Sequence, residues 1–504
     1  MASPHHLASS TGLAVLASGG NALDAAIATN LTLGVVLPYL CGYGGDLFAI
    51  VWKDGIHAYN GSGRAPREAT SDRVRQAAGS EAMPVRGPLA VTVPGVVEAW
   101  FTLLDRFGTR SFWELAGAAV RYARDGFVLS EHAAESLARS RRIFADSPDW
   151  QGVYGAARAG VELRQPDLAR TIETLSAHGP DAYYRGPIAE AVAGHLRARG
   201  GLMALEDLAS HHGDWFEPLR ATYRGVEILE LPPNTQGVTA LEALTIVDGS
   251  GSLPSDGEDR HHLMVEAAKL ALEDRNLHLA DPSAMQIPAE RLISAEWAAA
   301  RRALIDPTRA SAPPPSRSHV GGTAYVCAAD SDGMCVSLIQ SNYMGFGSGV
   351  TVPGWGINLQ NRGASFSLDP GHPNAVGPGK RPMHTLIPAL ALKGGRPWLA
   401  FGTMGGDGQP QTHLQLLTRL LEDGEDLQRA IDAPRWALSP QDWTLSMESR
   451  WDPEVVEGLG RRGHRVELVG AFDSMMGHAH AIEVTPNGYA GATDPRAEGA
   501  VVGL

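Results

Sequence analysis

The sequence predicts a mixed fold of α/β (α+β) class, and three observations carry that expectation. Helical and strand patterns alternate through the first two thirds of the 504 residues. A linker, "DPTRASAPPPSRSHVGG", then punctuates the chain; its three successive prolines can neither form helix nor join a central strand. Beyond it, short apolar or β-branched strands alternate with glycine turns, and helices are few.

Taken in order, "MASPHHLASSTG" has neither the basic nor the apolar region of a signal peptide. The stretch from Ala25 to Gly45 carries no charge, but Pro38, Gly34, Gly42, Gly44 and Gly45 interrupt it. It reads as a buried helix and a glycine-rich turn, with no membrane span. "NALDAAIATNLTLGVV" is apolar nearly all round, as a helix buried on most sides requires. "GGDLFAIVWKDGIHAYNGSGRAP" is a hairpin turning at Lys53-Asp54-Gly55. Helical periodicity dominates from Ser111 to Arg199, with Gly126 as a stop. "DRHHLMVEAAKLALEDRNLHLADP" is expected to be a long amphipathic helix closed by Asp281-Pro282. After the surface linker come the strands "TAYVCAAD", "MCVSLIQS", "GGRPWLAFGT", "HAHAIEV" and "GAVVGL", and the helices "QPQTHLQLLTRLLEDG" and "DLQRAIDAPRW". No repeat of solenoid or propeller period is visible.

Hydrophobic content of 44% with 19% charged residues is that of a globular protein. A net charge of −14 argues against nucleic acid, which needs a basic face. Cys41, Cys327 and Cys335 are too few for a disulfide framework, so a cytoplasmic location is expected. A small-molecule substrate and no cofactor complete the expectation.

The segment "SRSHVGGTAYVCAADSDGMCVSLIQSN" raises a chemical question. A threonine hydroxyl is a poor nucleophile unless a base takes its proton, and a free α-amino group on the same residue is one such base. Thr323 would gain that amine only if the bond after Gly322 were cut. Gly321 and Gly322 permit the backbone conformations a self-attack needs. An ordinary linker entering an ordinary strand is the alternative. A hairpin around Asp330-Ser331-Asp332-Gly333 would bring Ser341 and Asn342 near Thr323. Gly405 and Gly406, between a strand and a helix, could offer backbone N–H groups as an oxyanion hole, or form a tight turn.

The blocks "GGNALDAAIATNLTLGVVLPYLCGYGGDLFAIV", "AVTVPGVVEAW", "AVRYARDGFVLS", "LEDLASHHGDWFEPLRATYRG" and "PPNTQGVTALEAL" resemble the large subunit of γ-glutamyltransferases. "GGTAYVCAADSDG", "GFGSGV", "PGKRPMHTLIPAL", "GTMGGDGQPQTHLQ" and "ATDPRAEGAVVGL" resemble the small subunit. The resemblance implies an N-terminal-nucleophile hydrolase with an αββα sandwich, made as one precursor that cleaves itself. Residues 1–322 would be the large subunit and 323–504 the small one, a heterodimer forming one domain and capable of dimerising further. Thr323 falls on the family's nucleophile, and Gly405 and Gly406 on its oxyanion pair.

The departures from the family pattern fall on the substrate. Where the family places its donor-clamping arginine, "RAPREATSDRVR" has Ser71, with Arg64, Arg67 and Arg73 displaced. "NLQNRGASFS" keeps Gln360 but puts Arg362, Gly363, Ala364 and Ser365 where the family has acids. The paired serines become His384 and Thr385, and a strand threonine and asparagine become Ser341 and Tyr343, or Asn342 if the register shifts. With no acid in the pocket and an arginine nearby, a zwitterionic glutamyl head is a poor ligand, because a buried ammonium needs a counter-charge. The pattern resembles the cephalosporin-acylase-like branch, so an acyl amide of glutaryl type, ahead of a γ-glutamyl one, and hydrolysis over transfer are expected. Rival readings are C–C bond hydrolysis by the same nucleophile, and an unprocessed binding protein. His261 and His262 with Glu266 have the spacing of metal ligands, but the sequence identifies no third ligand, so no metal is expected. His478 and His480 read as structural, and a G-x-S-x-G elbow is absent.

Overall fold

A computed structural model describes residues 1–319 and 321–504. Thirteen strands build two antiparallel sheets. In chain order they are β1 (Ala2–Ser3), β2 (Asp46–Trp52), β3 (Ile56–Asn60), β4 (Asp214–Phe216), β5 (Leu219–Tyr223), β6 (Val226–Glu230), β7 (Gly322–Ala329), β8 (Cys335–Tyr343), β9 (Ala389–Lys393), β10 (Arg396–Thr403), β11 (Ala479–Thr485), β12 (Gly488–Thr493) and β13 (Ala500–Val501). The seven-stranded sheet runs β13-β1-β7-β8-β2-β3-β4, and the six-stranded sheet β12-β11-β10-β9-β6-β5.

Side chains alternate across a strand, so each sheet feeds two cores. On β2, Leu47, Ala49 and Val51 join one core while Phe48 and Ile50 join another. On β7, Ala324, Val326 and Ala328 go with the first group, and Tyr325 and Cys327 with the second. The second group meets Leu390, Leu392, Ala400 and Ile482 of the other sheet, so that core lies between the sheets. The outer face of the seven-stranded sheet is covered by helices that include α1 (His6–Ala17), α2 (Ala22–Val36), α3 (Val96–Phe107), α4 (Phe112–Asp125) and α5 (Pro166–His178). The other sheet is covered by helices that include α6 (Gly237–Asp248), α7 (Glu258–His278) and α8 (Gly408–Thr418). The architecture is an αββα sandwich.

Strands β7 and β8, from beyond the linker, lie at the centre of the first sheet between β1 and β2. The two sides of the linker therefore share one hydrogen-bonded sheet. All fifteen residues of α2 are buried, and its start is closed by reciprocal bonds between Asn21 and Asp24. Truncating the fully buried Leu31 to Ala would cost about 2–5 kcal/mol. Among the described residues no helix is long and apolar enough to cross a membrane.

Two expectations need correction. Helix α7 is not amphipathic: it is buried on almost every side, and its charges are paired within the fold. Arg260 meets Asp423 at 2.7 Å, Lys269 meets Glu266 at 2.7 Å and Arg275 meets Asp407 at 2.5 Å. The linker is a surface strap only in part. Ala310 N–H donates to Arg462 O (2.7 Å), Trp443 Nε1–H to Pro313 O (2.7 Å) and Ser316 N–H to Pro440 O (2.8 Å). Beyond Ser316 the chain turns inward, and His319 is buried.

Candidate active site

Thr323 stands second in β7, on the face shared by Tyr325 and Cys327, and is 2% exposed. Opposite it, β8 carries a bulge: Gln340 pairs with Ala324 and Tyr343 with Gly322, leaving two residues against one. The bulge turns Ser341 onto the bond that precedes Thr323. Ser341 Oγ donates to the carbonyl oxygen of Gly322 at 2.5 Å and accepts from Tyr343 N–H at 2.6 Å. Tyr343 itself sits at φ +74°, a sparsely populated region for a bulky residue. Its hydroxyl lies 2.7 Å from His319 Nδ1. Asn342 packs its amide against the Gly42–Gly45 turn, where a Cβ on Gly45 would approach its Oδ1 to 2.7 Å. Of the two possible registers, the structure places Tyr343 rather than Asn342 beside His319 and Arg362.

Arg362 is fully buried and lies over the Tyr343 ring, 4.0 Å from its centroid. Nη1 donates to Thr385 Oγ1 at 3.1 Å, while Nη2 has no partner among the described residues. Burial pushes the guanidinium down to about 10, with Tyr343 and Asp46 opposing. Gln360 aims this segment, since its Oε1 accepts from Arg362 N–H and its Nε2 donates to Thr92 O at 3.0 Å. Ser365 Oγ–H is shared between Arg362 O (2.9 Å) and Met383 O (2.8 Å), so it serves the loop.

The expectation of a pocket without acid is corrected by Asp46. This residue opens β2 and is 1% exposed. Its Oδ1 accepts from Gly63 and Gly95 N–H (3.1 and 3.2 Å), and Oδ2 lies 3.2 Å from His384 Nε2. Burial raises this carboxyl to about 6, against the pull of Arg362 and the two backbone N–H groups. His384 accepts from Leu386 N–H at Nδ1 (3.4 Å), which leaves its proton on Nε2, facing Asp46. Burial, with Arg362 and Arg381 adding, holds the ring well below its usual value and so neutral. Asp46 is thus committed to three donors. The displaced arginines bind elsewhere: Arg64 pairs with Asp214 (3.0 Å), Arg73 with Glu68 (2.9 Å), and Arg67 N–H donates to Asp207 (3.0 Å). Ser71 opens a short helix, Ser71–Ala78.

Gly405 and Gly406 form the turn from β10 into α8, at φ +146° and +56°. A Cβ on Gly406 would come within 2.0 Å of His319 O, so the linker lies directly on this turn. Asp407 clasps the linker backbone: its N–H donates to His319 O at 3.0 Å and its Oδ2 accepts from His319 N–H at 2.5 Å. A cavity of about 360 Å³ adjoins this clasp, lined among others by Arg275, Asn276, Arg317, His319, Ser365 and Met383.

The family model described as gamma-glutamyltranspeptidase matches residues 8–504. The chain belongs to the γ-glutamyltranspeptidase family. This family member is 38% identical to the glutathione hydrolase-like YwrD proenzyme of Bacillus subtilis, over 100% of this chain and 98% of the relative. It is 39% identical to the oxamate amidohydrolase proenzyme of Klebsiella pneumoniae, over 99% and 97%. The crystal structure of cephalosporin acylase from Bacillus halodurans superposes with a TM-score of 0.95 at 39% identity, over 99% of this chain and 95% of that one. The γ-glutamyltranspeptidase-family chain is therefore an amidohydrolase of the N-terminal-nucleophile type, with proenzymes as its relatives.

In this family member the histidines divide. His261 leaves the supposed metal set and meets Asp256 at 2.7 Å. A third candidate, missed in the sequence, is His464, whose ligand atom lies within 4.8 Å of those of His262 and Glu266. The set is already knit by hydrogen bonds. His262 Nδ1 lies 2.8 Å from His464 Nε2, and Lys269 Nζ lies 2.7 Å from Glu266 Oε1 and 3.4 Å from His464 Nδ1. Lys269 thus already supplies a positive partner to Glu266 within the set. His478 and His480 bond Ser474 and Thr493 (2.8 and 2.9 Å) and are buried. Asp46, Asp407, Arg275 and Gln236 were also missed. Asp46 and Asp407 each directly succeed a glycine pair, the one local signal that could have drawn attention to them.

Proposed function

We propose that the chain cleaves itself between Gly322 and Thr323, and that Thr323 then hydrolyses amides whose acyl group bears a carboxylate and no α-amine. In the first step Thr323 Oγ adds to the Gly322 carbonyl carbon as the C–N bond breaks. The hydroxyl proton passes to the departing nitrogen, leaving an ester that water splits into a Gly322 carboxylate and a free Thr323 amine. Ser341, bonded to the Gly322 oxygen at 2.5 Å, would stabilise the negative charge that grows there. Residues 1–322 and 323–504 would remain together as two subunits, because β7 and β8 are built into the sheet of the larger part.

In turnover the free amine takes the proton of Thr323 Oγ, and the hydroxyl adds to the substrate carbonyl. Gly405 and Gly406 N–H groups would receive the oxyanion. The leaving amine departs with the proton, and water hydrolyses the acyl ester. Activity should rise with pH through the ionisation of that amine, ordinarily near 8.

The acyl preference rests on one observation: Arg362 is buried, has an unpartnered Nη2 and forms no ion pair with a described carboxylate. A glutaryl-type carboxylate would satisfy it, whereas an α-ammonium group would add a second cation. Asp46 does not relieve this, since its oxygens are already engaged. One relative is named for oxamate, an amide whose acyl group carries a carboxylate and no amine, which supports the reading. Intact mass should show a chain beginning "TAYVCAAD", and Thr323→Ala should stay uncut. A wild-type protein that turns over amides as one chain would refute the mechanism. Glutaryl amides should exceed the matching γ-glutamyl amides in kcat/KM by about 5- to 150-fold, the worth of about 1–3 kcal/mol.

A further inference from the structure

We propose that Asp407 is a positioning residue for self-cleavage. Its carboxylate and backbone N–H hold His319, and with it the acyl half of the Gly322–Thr323 bond, in place for attack by Thr323. The inference rests on the self-cleavage reading above and names the group that governs its rate.

Asp407 stands at the N-cap of α8, where an aspartate ordinarily accepts from the first backbone N–H groups of its own helix. Among the described residues it makes no such bond. The side chain is turned onto the linker instead. Oδ2 accepts from His319 N–H at 2.5 Å and from Ser318 Oγ at 3.2 Å, while Asp407 N–H donates to His319 O at 3.0 Å. Two opposed bonds to one residue fix both its place and its orientation. The clasp is also braced from behind. Oδ1 accepts from Arg275 Nη1 at 2.5 Å, and the same nitrogen meets Gln236 Oε1 at 2.7 Å. Gln236 Nε2 donates in turn to Gly406 O (2.8 Å) and Thr385 O (2.9 Å). All three side chains are buried.

Only three residues separate His319 from Thr323, and Thr323 is fixed in β7. The scissile bond therefore lies on a short span anchored at both ends. Backbone presses on backbone along that span: a Cβ on Gly321 would come within 2.9 Å of Tyr343 O, and one on Gly322 within 2.9 Å of Tyr39 O. Ser341 holds the Gly322 oxygen, but a single bond leaves the carbonyl free to swing about it. The clasp removes that freedom. When Thr323 Oγ adds to the Gly322 carbonyl carbon, the C–N bond breaks and the hydroxyl proton passes to the departing nitrogen. Asp407 supplies no atom to that step. Its contribution is alignment, and a misplacement of about 1 Å at reacting atoms costs about 100-fold in rate.

The test follows the freshly translated full-length chain as it converts into two pieces on denaturing gels. Asp407→Ala should slow the first-order rate by about 10- to 100-fold. That variant also leaves Arg275 without its partner, so a second change spares both residues. His319 is replaced by its α-hydroxy acid, which puts an ester oxygen where the N–H was and keeps the side chain. Cleavage after Gly322 should slow by at least about tenfold, with intact mass separating it from hydrolysis of the ester itself. The two changes together should be no slower than Asp407→Ala alone, since both remove the same contact. A merely structural role for Asp407 predicts slowing that multiplies. If Asp407→Ala does not fold, the hydroxy-acid chain alone decides. Maturation of that chain at the wild-type rate, or multiplied slowing, would overturn the proposal and leave self-cleavage standing. A wild-type chain that stays uncut would overturn both.

Discussion

Arg496 and Arg362 are both buried, at 4% and 1% exposure, yet their surroundings are opposite. Arg496 is bidentate to Glu448, with both bonds at 2.6 Å, and reaches Asp494 at 3.0 Å. Its remaining donors meet Ile431 O and Ala433 O at 3.2 and 3.0 Å. Arg362 has an aromatic face, one threonine oxygen and an open Nη2. Hydrogen bonds to Glu448 raise Arg496 above the ordinary arginine value despite burial, whereas burial lowers Arg362 to about 10. A saturated buried cation holds a fold together. An unsaturated one is open to a ligand under the reading proposed above, and it lies against Tyr343 of β8, which pairs with the start of β7 at Gly322.

The largest effect should come from breaking the saturated partner. Arg496→Met would take the bidentate partner from Glu448 and one of two arginines from Asp494, leaving Arg450 on the first and Arg435 on the second at 2.7 Å each, and would cost about 3–5 kcal/mol, seen as a lower urea midpoint. Arg362→Met leaves no buried carboxylate newly stranded in direct contact and should cost under about 1 kcal/mol. Equal destabilisation by the two would erase the contrast.

A somewhat smaller effect concerns Asp46, whose carboxyl is raised from the usual 3.8 to about 6 by burial. The folded state then binds a proton more tightly than the unfolded chain. Stability from this residue therefore falls as pH rises from about 4 to about 6, by about 3 kcal/mol, and is flat above that. Asp46→Asn, which preserves an acceptor for Gly63 and Gly95, should flatten this part of the stability–pH curve in urea titrations. An unchanged slope would show that Asp46 is fully ionised at low pH. Smaller still, Gly406→Ala should slow self-cleavage on a gel time course, since its methyl group would displace His319; unaltered processing would mean the linker need not sit there.

What could be read in advance was local. The hairpin of β2 and β3, the turn at Asp330–Gly333 and the wholly buried α2 are dictated by periodicity and turn residues within one segment. The site is mostly the product of distant encounters. His384 and Asp46 are 338 residues apart, and Arg275 and Asp407 are 132 apart. No spacing rule connects such pairs; the sandwich topology does. The same holds for Arg260 and Arg275 of α7, which looked like a solvated face because Asp423 and Asp407 lie 163 and 132 residues along the chain. At Tyr343 the obstacle was different. A bulge of one residue decides whether Asn342 or Tyr343 faces the site, and single-strand patterns carry no register.

The central claim is that the open donor of Arg362 selects the acyl carboxylate. It is tested most directly by kcat/KM for a glutaryl amide and the matching butyryl amide, in wild type and in Arg362→Met. The wild-type enzyme should prefer glutaryl by about 10- to 100-fold, and the variant should lose most of that preference through the glutaryl substrate alone. A wild-type enzyme indifferent to the carboxylate, or a variant that keeps the full preference, would contradict the account.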